Sequence, residues 1–159
     1  MGVAGAGKTT VAQLLAGRLG CRFLEGDDFH PAANVEKMRR GQALSDADRR
    51  PWLQQIAASI DSLQSQGLCG VITCSALKRR YREILVGQRK NVKLVYLSGT
   101  IGLIAGRLAA RQGHFMPPAL LESQFAALEP PGADEHPIIA DAAAEPAAMV
   151  AGILDALTI

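Results

Sequence analysis

The 159-residue sequence has little net charge, few aromatic residues and no long apolar run. Seventeen Lys and Arg oppose fifteen Asp and Glu, which leaves a formal net charge of +2, and aromatic residues make up 4% of the chain. Proteins that bind nucleic acid usually carry a larger basic surplus and aromatic side chains for base stacking. No segment approaches the roughly 20 apolar residues of a membrane span. We therefore expect neither nucleic acid nor a membrane among the partners.

Cysteine is also scarce, with three residues at positions 21, 69 and 74. The number is odd and the spacing lacks the close pairs of a metal site, which predicts reduced thiols. The sequence shows no pattern of a secretory signal peptide. Together these features predict a cytoplasmic protein whose cysteines are buried and inert.

Apolar residues are plentiful, at 48% of the chain, and they alternate between strand-like and helix-like patterns. We interpret residues 1–159 as one domain, because a chain of this length can bury roughly 70% of the surface that it exposes when unfolded. The spacing predicts strands over 22–24, 71–74, 92–97 and 138–140, and helices over 10–19, 31–40, 46–66, 78–86, 100–112, 119–128 and 146–157. Such alternation predicts an α/β fold with a parallel sheet flanked by helices, whose ligands bind beyond the carboxyl ends of the strands.

The segment from Gly2 to Thr9 fits the phosphate-binding loop G-x-x-x-x-G-K-[ST]. Its glycines allow backbone N–H groups to converge on a phosphate, and the following helix adds its N-terminal dipole. Lys8 would hold the β- and γ-phosphates of ATP during catalysis, and the Thr9 hydroxyl would bind Mg²⁺. A glycine-rich turn that only caps a helix is the alternative. We assign ATP binding in this loop to Gly2, Gly5, Gly7, Lys8, Thr9 and Thr10.

One part of the usual arrangement is absent from the sequence. A phosphate-binding loop normally follows a buried central strand, but only Met1 precedes Gly2 here. Without that first strand, its neighbours would lack hydrogen-bond partners and a cleft would open in the core. The start is mis-assigned or truncated, or the sheet rearranges, and of these we favour truncation.

Several blocks along the chain resemble the gluconokinase family. They include EGDDFHP, NVEKM, the segment GQALSDADRRPWL, CSALKRRYR, RLAARQGHFM and QFAALEP, and they cover residues 25–31, 34–38, 41–53, 74–82, 107–116 and 124–130. The resemblance implies a nucleoside-monophosphate-kinase-like fold related to shikimate kinases. It also implies a homodimer and transfer of the ATP γ-phosphoryl to the 6-hydroxyl of D-gluconate, which gives 6-phospho-D-gluconate. The sequence departs from the family at Ala43, usually Pro, and at Thr9, commonly Ser.

Asp27 is the predicted catalytic carboxylate. It follows a predicted strand and matches the Gly-Asp pair of the family, and a carboxylate there can orient the acceptor hydroxyl and accept its proton. The strand that ends at Cys74 has no acidic residue, so by elimination Asp27 is also assigned to Mg²⁺ together with Thr9. The neighbouring Asp28 is as well explained as a helix or turn cap.

Four cationic or polar residues in the matching blocks are candidates for binding the sugar acid. They are His30, Lys37, Arg49 and Lys78. An Arg fork can hold a carboxylate with two hydrogen bonds, whereas Lys acts as a point charge. We favour Arg49 and Lys78 over Lys37. Each cation could equally be a solvated charge on a helix face, and His30 could anchor a loop.

A lid is predicted over residues 111–118. Arg107 and Arg111 lie one helical turn apart and lead into Gly113 and the pair Pro117-Pro118, which suits a mobile segment that excludes water. Arg111 would stabilise charge in the transition state, as lid arginines do in related kinases, and Arg107 would lie near the adenine. The alternative is two exposed arginines on an amphipathic helix.

Two other functions remain open. A shikimate-type small-molecule kinase would have the same fold with a different acceptor. A truncated homologue could bind the nucleotide and yet be catalytically impaired because the first strand is missing.

Overall fold

Short strands alternate with helices along the chain, as the sequence pattern predicts. The computed structural model describes residues 1–110 and 118–157. Within these ranges the elements are α1 (Lys8–Leu19), β1 (Arg22–Leu24), α2 (Ala32–Arg39), α3 (Asp46–Ser65), β2 (Gly70–Ile72), α4 (Arg79–Leu85), β3 (Val95–Ser98), α5 (Ile101–Ala110), α6 (Pro118–Ala127), β4 (Ile138–Asp141) and α7 (Pro146–Leu157). Two 3₁₀ helices, Gly26–Phe29 and Ala133–Glu135, were not predicted.

The strands form two parallel pairs. β1 pairs with β2 from Arg22 opposite Gly70 to Leu24 opposite Ile72. β3 pairs with β4 from Val95 opposite Ile138 onward. No strand joins the two pairs in the described part of the chain. The predicted α/β class with parallel strands and flanking helices is confirmed, and the described strands form a divided sheet.

Met1 and Gly2 provide the connection between the two pairs. The Leu97 amide donates to the Met1 carbonyl at 3.0 Å, and the Met1 amino group donates to the Val95 carbonyl. The Gly2 amide donates to the Ser75 carbonyl at 3.2 Å. Burial lowers the pKa of the Met1 amino group to about 5. The first two residues therefore carry part of the hydrogen bonding that a central strand would supply.

The core consists of two apolar clusters, one on each strand pair. The larger is built from α1, α5, α7, β3 and β4, and the smaller from α3 and α4. Representative buried side chains are Val11, Leu15, Leu97, Ile104 and Ile153 in the larger cluster and Trp52, Leu53, Ile56, Tyr81 and Leu85 in the smaller. In the described ranges, no helix combines the length and apolarity that crossing a bilayer requires.

A buried ion pair fixes the segment between β2 and α4. Arg82 is 2% exposed, and its Nε and Nη2 donate to the Glu135 carboxylate at 2.6 and 2.8 Å. Its Nη1 donates to the carbonyls of Ala76, Leu77 and Glu129. The Arg82 guanidinium lowers the pKa of Glu135. This network immobilises the residues just before Lys78.

The expectation of reduced thiols is wrong for two of the three cysteines. Cys21 and Cys69 form a disulfide, with Cα atoms 4.8 Å apart. They immediately precede β1 and β2, and the register that places Arg22 opposite Gly70 brings them side by side. Cys74 is free and buried as predicted, and burial raises its pKa to about 11.

Candidate active site

The phosphate-binding loop runs directly into α1. Gly7 caps the helix with φ of +91°, a left-handed conformation that favours glycine, and α1 begins at Lys8. The Lys8 Nζ donates to the Val3 carbonyl at 2.9 Å, so the ammonium group lies over its own loop. The N-terminus of α1 points its amides and its dipole at this loop, which is the arrangement of an anion site. The predicted loop is therefore confirmed in its local structure.

A carboxylate that the sequence analysis did not select, Glu25, lies against the loop. The Thr9 hydroxyl donates to Glu25 Oε2 at 2.7 Å, and the Thr73 hydroxyl donates to Glu25 Oε1. The Gly26 amide in turn donates to Thr73 Oγ1 at 3.0 Å. Glu25 follows β1 and Thr73 follows β2, so the carboxyl ends of two paired strands bring them to Thr9. Glu25 contacts the expected Mg²⁺ ligand, a position that elimination had given to Asp27.

Asp27 lies on the exposed side of the 3₁₀ turn that follows Glu25. The Trp52 indole anchors this turn by donating to the Gly26 carbonyl at 2.7 Å. His30 stacks on Trp52 with ring centroids 4.1 Å apart. Burial lowers the pKa of His30, while Asp27 raises it and Arg49 lowers it further. Asp27 and Arg49 therefore both lie close enough to His30 to change its pKa.

Lys37 has an ion-pair partner. Its Nζ lies 2.9 Å from both carboxylate oxygens of Asp48, and its side chain is 44% exposed. Asp48 also accepts from the amide and hydroxyl of Ser45 at the start of α3. Asn34 donates to the Asp48 carbonyl and lies 3.3 Å from the His30 ring. Lys37 is thus held at the start of α3, and the preference for Arg49 and Lys78 over Lys37 stays a prediction.

Arg49 and Lys78 meet at one aromatic ring. The Arg49 Cζ lies 5.8 Å and the Lys78 Nζ 5.7 Å from the centre of the Tyr81 ring. The Lys78 Nζ donates to Asp46 Oδ1 at 3.1 Å. Two of the predicted acceptor cations, which come from α3 and from the start of α4, are therefore neighbours in space.

The elements that flank the predicted lid touch the phosphate-binding loop. The Ala4 amide donates to Gln124 Oε1 of α6 at 2.7 Å. A Cβ on Gly5 would lie 2.9 Å from Leu108 of α5, so α5 packs closely on the loop. Arg107 is half-buried on the same helix. Arg111 and the predicted lid up to residue 117 lie outside the described residues.

The comparisons with known proteins agree with this geometry. A family model described as "AAA domain" matches residues 1–131. A curated relative, "Gluconokinase" from Gluconobacter oxydans, is 55% identical over 142 residues, which cover 87% of this chain and 78% of the relative. The chain belongs to the gluconokinase family. It is accordingly an ATP-dependent kinase with a phosphate-binding loop.

Two solved structures support the family assignment. A sugar kinase from Janibacter sp. HTCC2649 superimposes with a TM-score of 0.92 at 43% identity, covering 100% of this chain and 92% of that one. A gluconokinase from Sinorhizobium meliloti 1021 gives a TM-score of 0.88 at 38% identity, covering 99% and 89%. This gluconokinase family member thus has the fold of its relatives even though its sheet is divided.

Proposed function

We propose that this protein transfers the γ-phosphoryl of ATP to the 6-hydroxyl of D-gluconate, which gives 6-phospho-D-gluconate. The observation that carries the proposal is the position of Asp27, which lies two residues after Glu25, the residue that contacts Thr9, on a turn that Trp52 and His30 pack against. A nucleotide phosphate, a carboxylate base and a cation for an acidic substrate would then meet at one edge of the sheet. The names of the relatives give the same acceptor.

The donor side of the reaction rests on the phosphate-binding loop. Backbone amides from Gly2 to Thr10 and the N-terminus of α1 would hold the β- and γ-phosphates. The Lys8 ammonium would turn from the Val3 carbonyl toward these phosphates and balance the charge that spreads over the γ-phosphoryl oxygens. Arg107 and Arg111, the latter on the predicted lid, stay assigned to nucleotide binding and to stabilising the transition state.

The residues around Thr9 fit a magnesium ion. Mg²⁺ is held by oxygen ligands, usually one or two protein groups together with substrate phosphates. The Thr9 hydroxyl and the Glu25 carboxylate form such a pair. Among the described residues, no three His, Cys, Asp or Glu side chains group closely enough to bind a metal by themselves. We therefore assign the ion to Thr9 and Glu25, and Asp27, which was predicted from the sequence, stays an alternative ligand. When bound, the magnesium ion would neutralise phosphate charge.

The acceptor side of the reaction is assigned to Asp27 and the nearby cations. Asp27 would accept the proton of the 6-hydroxyl while the new O–P bond forms and the bond from the γ-phosphorus to the ADP oxygen breaks. His30, Arg49 and Lys78 would bind the hydroxyls and the carboxylate of gluconate. Lys37 is kept as a further candidate, and it pairs with Asp48 as Lys78 pairs with Asp46.

The proposal is tested by measuring ADP release with gluconate, with shikimate and without any acceptor. We expect release that depends on gluconate and a product phosphorylated at the 6-hydroxyl. Bound ATP without acceptor-dependent release would favour an impaired homologue, and release with shikimate alone would favour a shikimate-type kinase. Either result would contradict the proposal.

Replacing the proposed base, Asp27, tests its role in proton transfer separately from the binding of ATP. We expect Asp27→Asn to lower kcat by at least about a hundredfold while the Kd for ATP changes little, because the amide cannot take the proton. Turnover near that of the wild type would contradict the role of Asp27.

Two further assignments remain proposals. We expect the protein to act in the cytoplasm because ATP is available there, while the Cys21–Cys69 disulfide removes the argument from reduced thiols. We also expect the homodimer that the family resemblance implies. Analytical ultracentrifugation would measure the mass of the assembly.

A further inference from the structure

We infer that the carboxylate of the sugar acid binds where the Asp46 carboxylate now lies, between Arg49, Lys78, Arg80 and Tyr81. These five residues are called the carboxylate cluster below. The inference rests on the proposed function and deepens it, because it adds Arg80 and Tyr81 to the acceptor site. In the free protein the Asp46 carboxylate would occupy the position of the substrate carboxylate, and the bound substrate would displace it.

The cluster holds one carboxylate with three donors. Asp46 Oδ1 accepts from the Lys78 Nζ at 3.1 Å and from the Tyr81 hydroxyl. Asp46 Oδ2 accepts from Arg80 Nη2. Arg49 Nη1 lies 3.5 Å from the Tyr81 hydroxyl on the other side. Charge-assisted donors that converge on two oxygens are what recognition of a carboxylate requires.

Tyr81 organises the cations. It is 4% exposed, so the ring is fixed in the smaller core cluster. The charged ends of Arg49, Lys78 and Arg80 all lie 5.7 to 5.8 Å from its centre. A cation is attracted to an aromatic face at this distance. The three cations are therefore all held around the ring of Tyr81 even though they repel one another.

The charge of the cluster favours a second anion. Lys78 and Arg80 pair with the Asp46 carboxylate and Arg49 lies at the Tyr81 ring, so three cations and one carboxylate give the cluster a formal charge of +2. Arg50 and Glu83 line the adjoining groove and together add no net charge to it, and Glu83 pairs with Arg79. An incoming carboxylate would therefore be attracted to the cluster.

Asp46 can leave its position at small structural cost. Its side chain is 44% exposed, and a surface groove of about 590 Å³ opens beside it between α3 and α4. The start of α3 does not depend on it, since Ser45 and Asp48 form the capping box. Asp46 can therefore turn toward water while the helix keeps its cap.

The cluster lies at the correct end of the acceptor site. Arg49 is the link, because its Nη1 lies 3.5 Å from the Tyr81 hydroxyl and because, on the same helix, Trp52 follows one turn later and donates to the Gly26 carbonyl beside Asp27. An extended six-carbon acid can therefore place its carboxylate in the cluster and its far hydroxyl toward Asp27. This arrangement would select for sugar acids against neutral polyols.

The test compares two adjacent arginines of α4. Arg80→Gln removes a donor of the cluster, whereas Arg79→Gln removes an exposed arginine that pairs with Asp134 and Glu83 and makes no contact with Asp46 in the structure. We expect Arg80→Gln to raise the KM for gluconate roughly tenfold with the KM for ATP unchanged, and Arg79→Gln to leave both unchanged. Tyr81→Phe, which keeps the ring, should raise the KM for gluconate as well.

The Asp46→Asn variant tests whether the Asp46 carboxylate competes with the substrate or instead helps to hold the cluster together. If Asp46 competes with the substrate, its neutral variant should lower the KM for gluconate severalfold. An equal KM for gluconate in Arg80→Gln and Arg79→Gln, or a raised KM in Asp46→Asn, would overturn the inference. Wild-type turnover of gluconate is measured first, because its absence contradicts the proposed function and this inference together. If the wild type turns over gluconate normally and either of these variant results is found, only the inference is contradicted.

Discussion

Gly26 is the residue at which the site tolerates the least change. A Cβ at this position would lie 1.8 Å from the Thr73 carbonyl oxygen, which is a backbone atom and cannot turn aside. Gly26→Ala should therefore push β1 and β2 apart where Glu25 and Thr73 meet. We expect a loss of about 3 kcal/mol or more in the free energy of unfolding, measured with urea.

Gly17 provides the matched control for Gly26. It lies within α1, and no atom would lie within 4 Å of its added Cβ. Gly17→Ala should stabilise the protein by about 0.5–1 kcal/mol, because alanine loses less backbone entropy in a helix. Equal unfolding free energies for the two variants would contradict the packing described at Gly26.

At this scale the sequence predicts residues that are neighbours along the chain better than residues that are neighbours in space. Gly7 and Lys8 could be assigned because one contiguous loop specifies them. The contact of Glu25 with Thr9 could not, because it depends on the register between β1 and β2. The contiguous Gly26-Asp27 pair therefore predicted Asp27, and not Glu25, as the carboxylate near the magnesium ion.

The start of α3 is the element whose stability should depend on pH. The Lys37 ammonium and then the Ser45 amide and hydroxyl lower the pKa of Asp48 from 3.8 to about 2. The unfolded chain thus binds a proton at Asp48 before the folded chain does. Its contribution to stability is complete above about pH 4 and is lost as the pH falls from 4 to 2. Asp48→Asn should lower the Tm at pH 6, and the difference from wild type should shrink below pH 4.

A difference in Tm that stays constant from pH 6 to pH 2.5 would contradict this account of α3. Lys37→Met provides a second check, since it removes the first of the groups that lower the pKa of Asp48. Its own difference from wild type should also shrink below pH 4.

The bounds of most elements could be predicted because their signals are local. Gly20 caps the end of α1 in a left-handed conformation, and the Ser45–Asp48 capping box begins α3, so both ends agree with the helices predicted over 10–19 and 46–66. The 3₁₀ turn at Gly26–Phe29 was missed because its stability comes from distant partners. The indole of Trp52 and the hydroxyl of Thr73 hold it.

The disulfide bears on the stability of the molecule as a whole. Cys21 and Cys69 close a loop with a sequence separation of 48, for which the chain-entropy estimate is about 4 kcal/mol. We expect dithiothreitol to lower the Tm of the wild type by roughly 10 °C. Cys21→Ser should show the lower Tm with or without the reductant.

Cys74→Ala is the control for the disulfide, because this thiol is buried and unpaired. It should keep the response to dithiothreitol. A wild-type Tm that is the same with and without the reductant would contradict a stabilising role for the bond.

The division of the sheet concerns the molecule as a whole. Among the described residues the strands form two separate pairs, and hydrogen bonds of Met1 and Gly2 join them. How the two pairs would be bridged could not be read from the sequence. It depends on where β3 and the segment after β2 lie in space.

The central claim is that the phosphate-binding loop and the acceptor site act together on gluconate. The most direct measurement compares gluconate-dependent ADP release by the wild type and by Lys8→Ala, with both proteins shown to be folded by circular dichroism. We predict release by the wild type and a loss of at least about a hundredfold in Lys8→Ala, since one ammonium group balances much of the charge on the transferred group. Equal rates in the two proteins, or no release that depends on gluconate, would contradict the account.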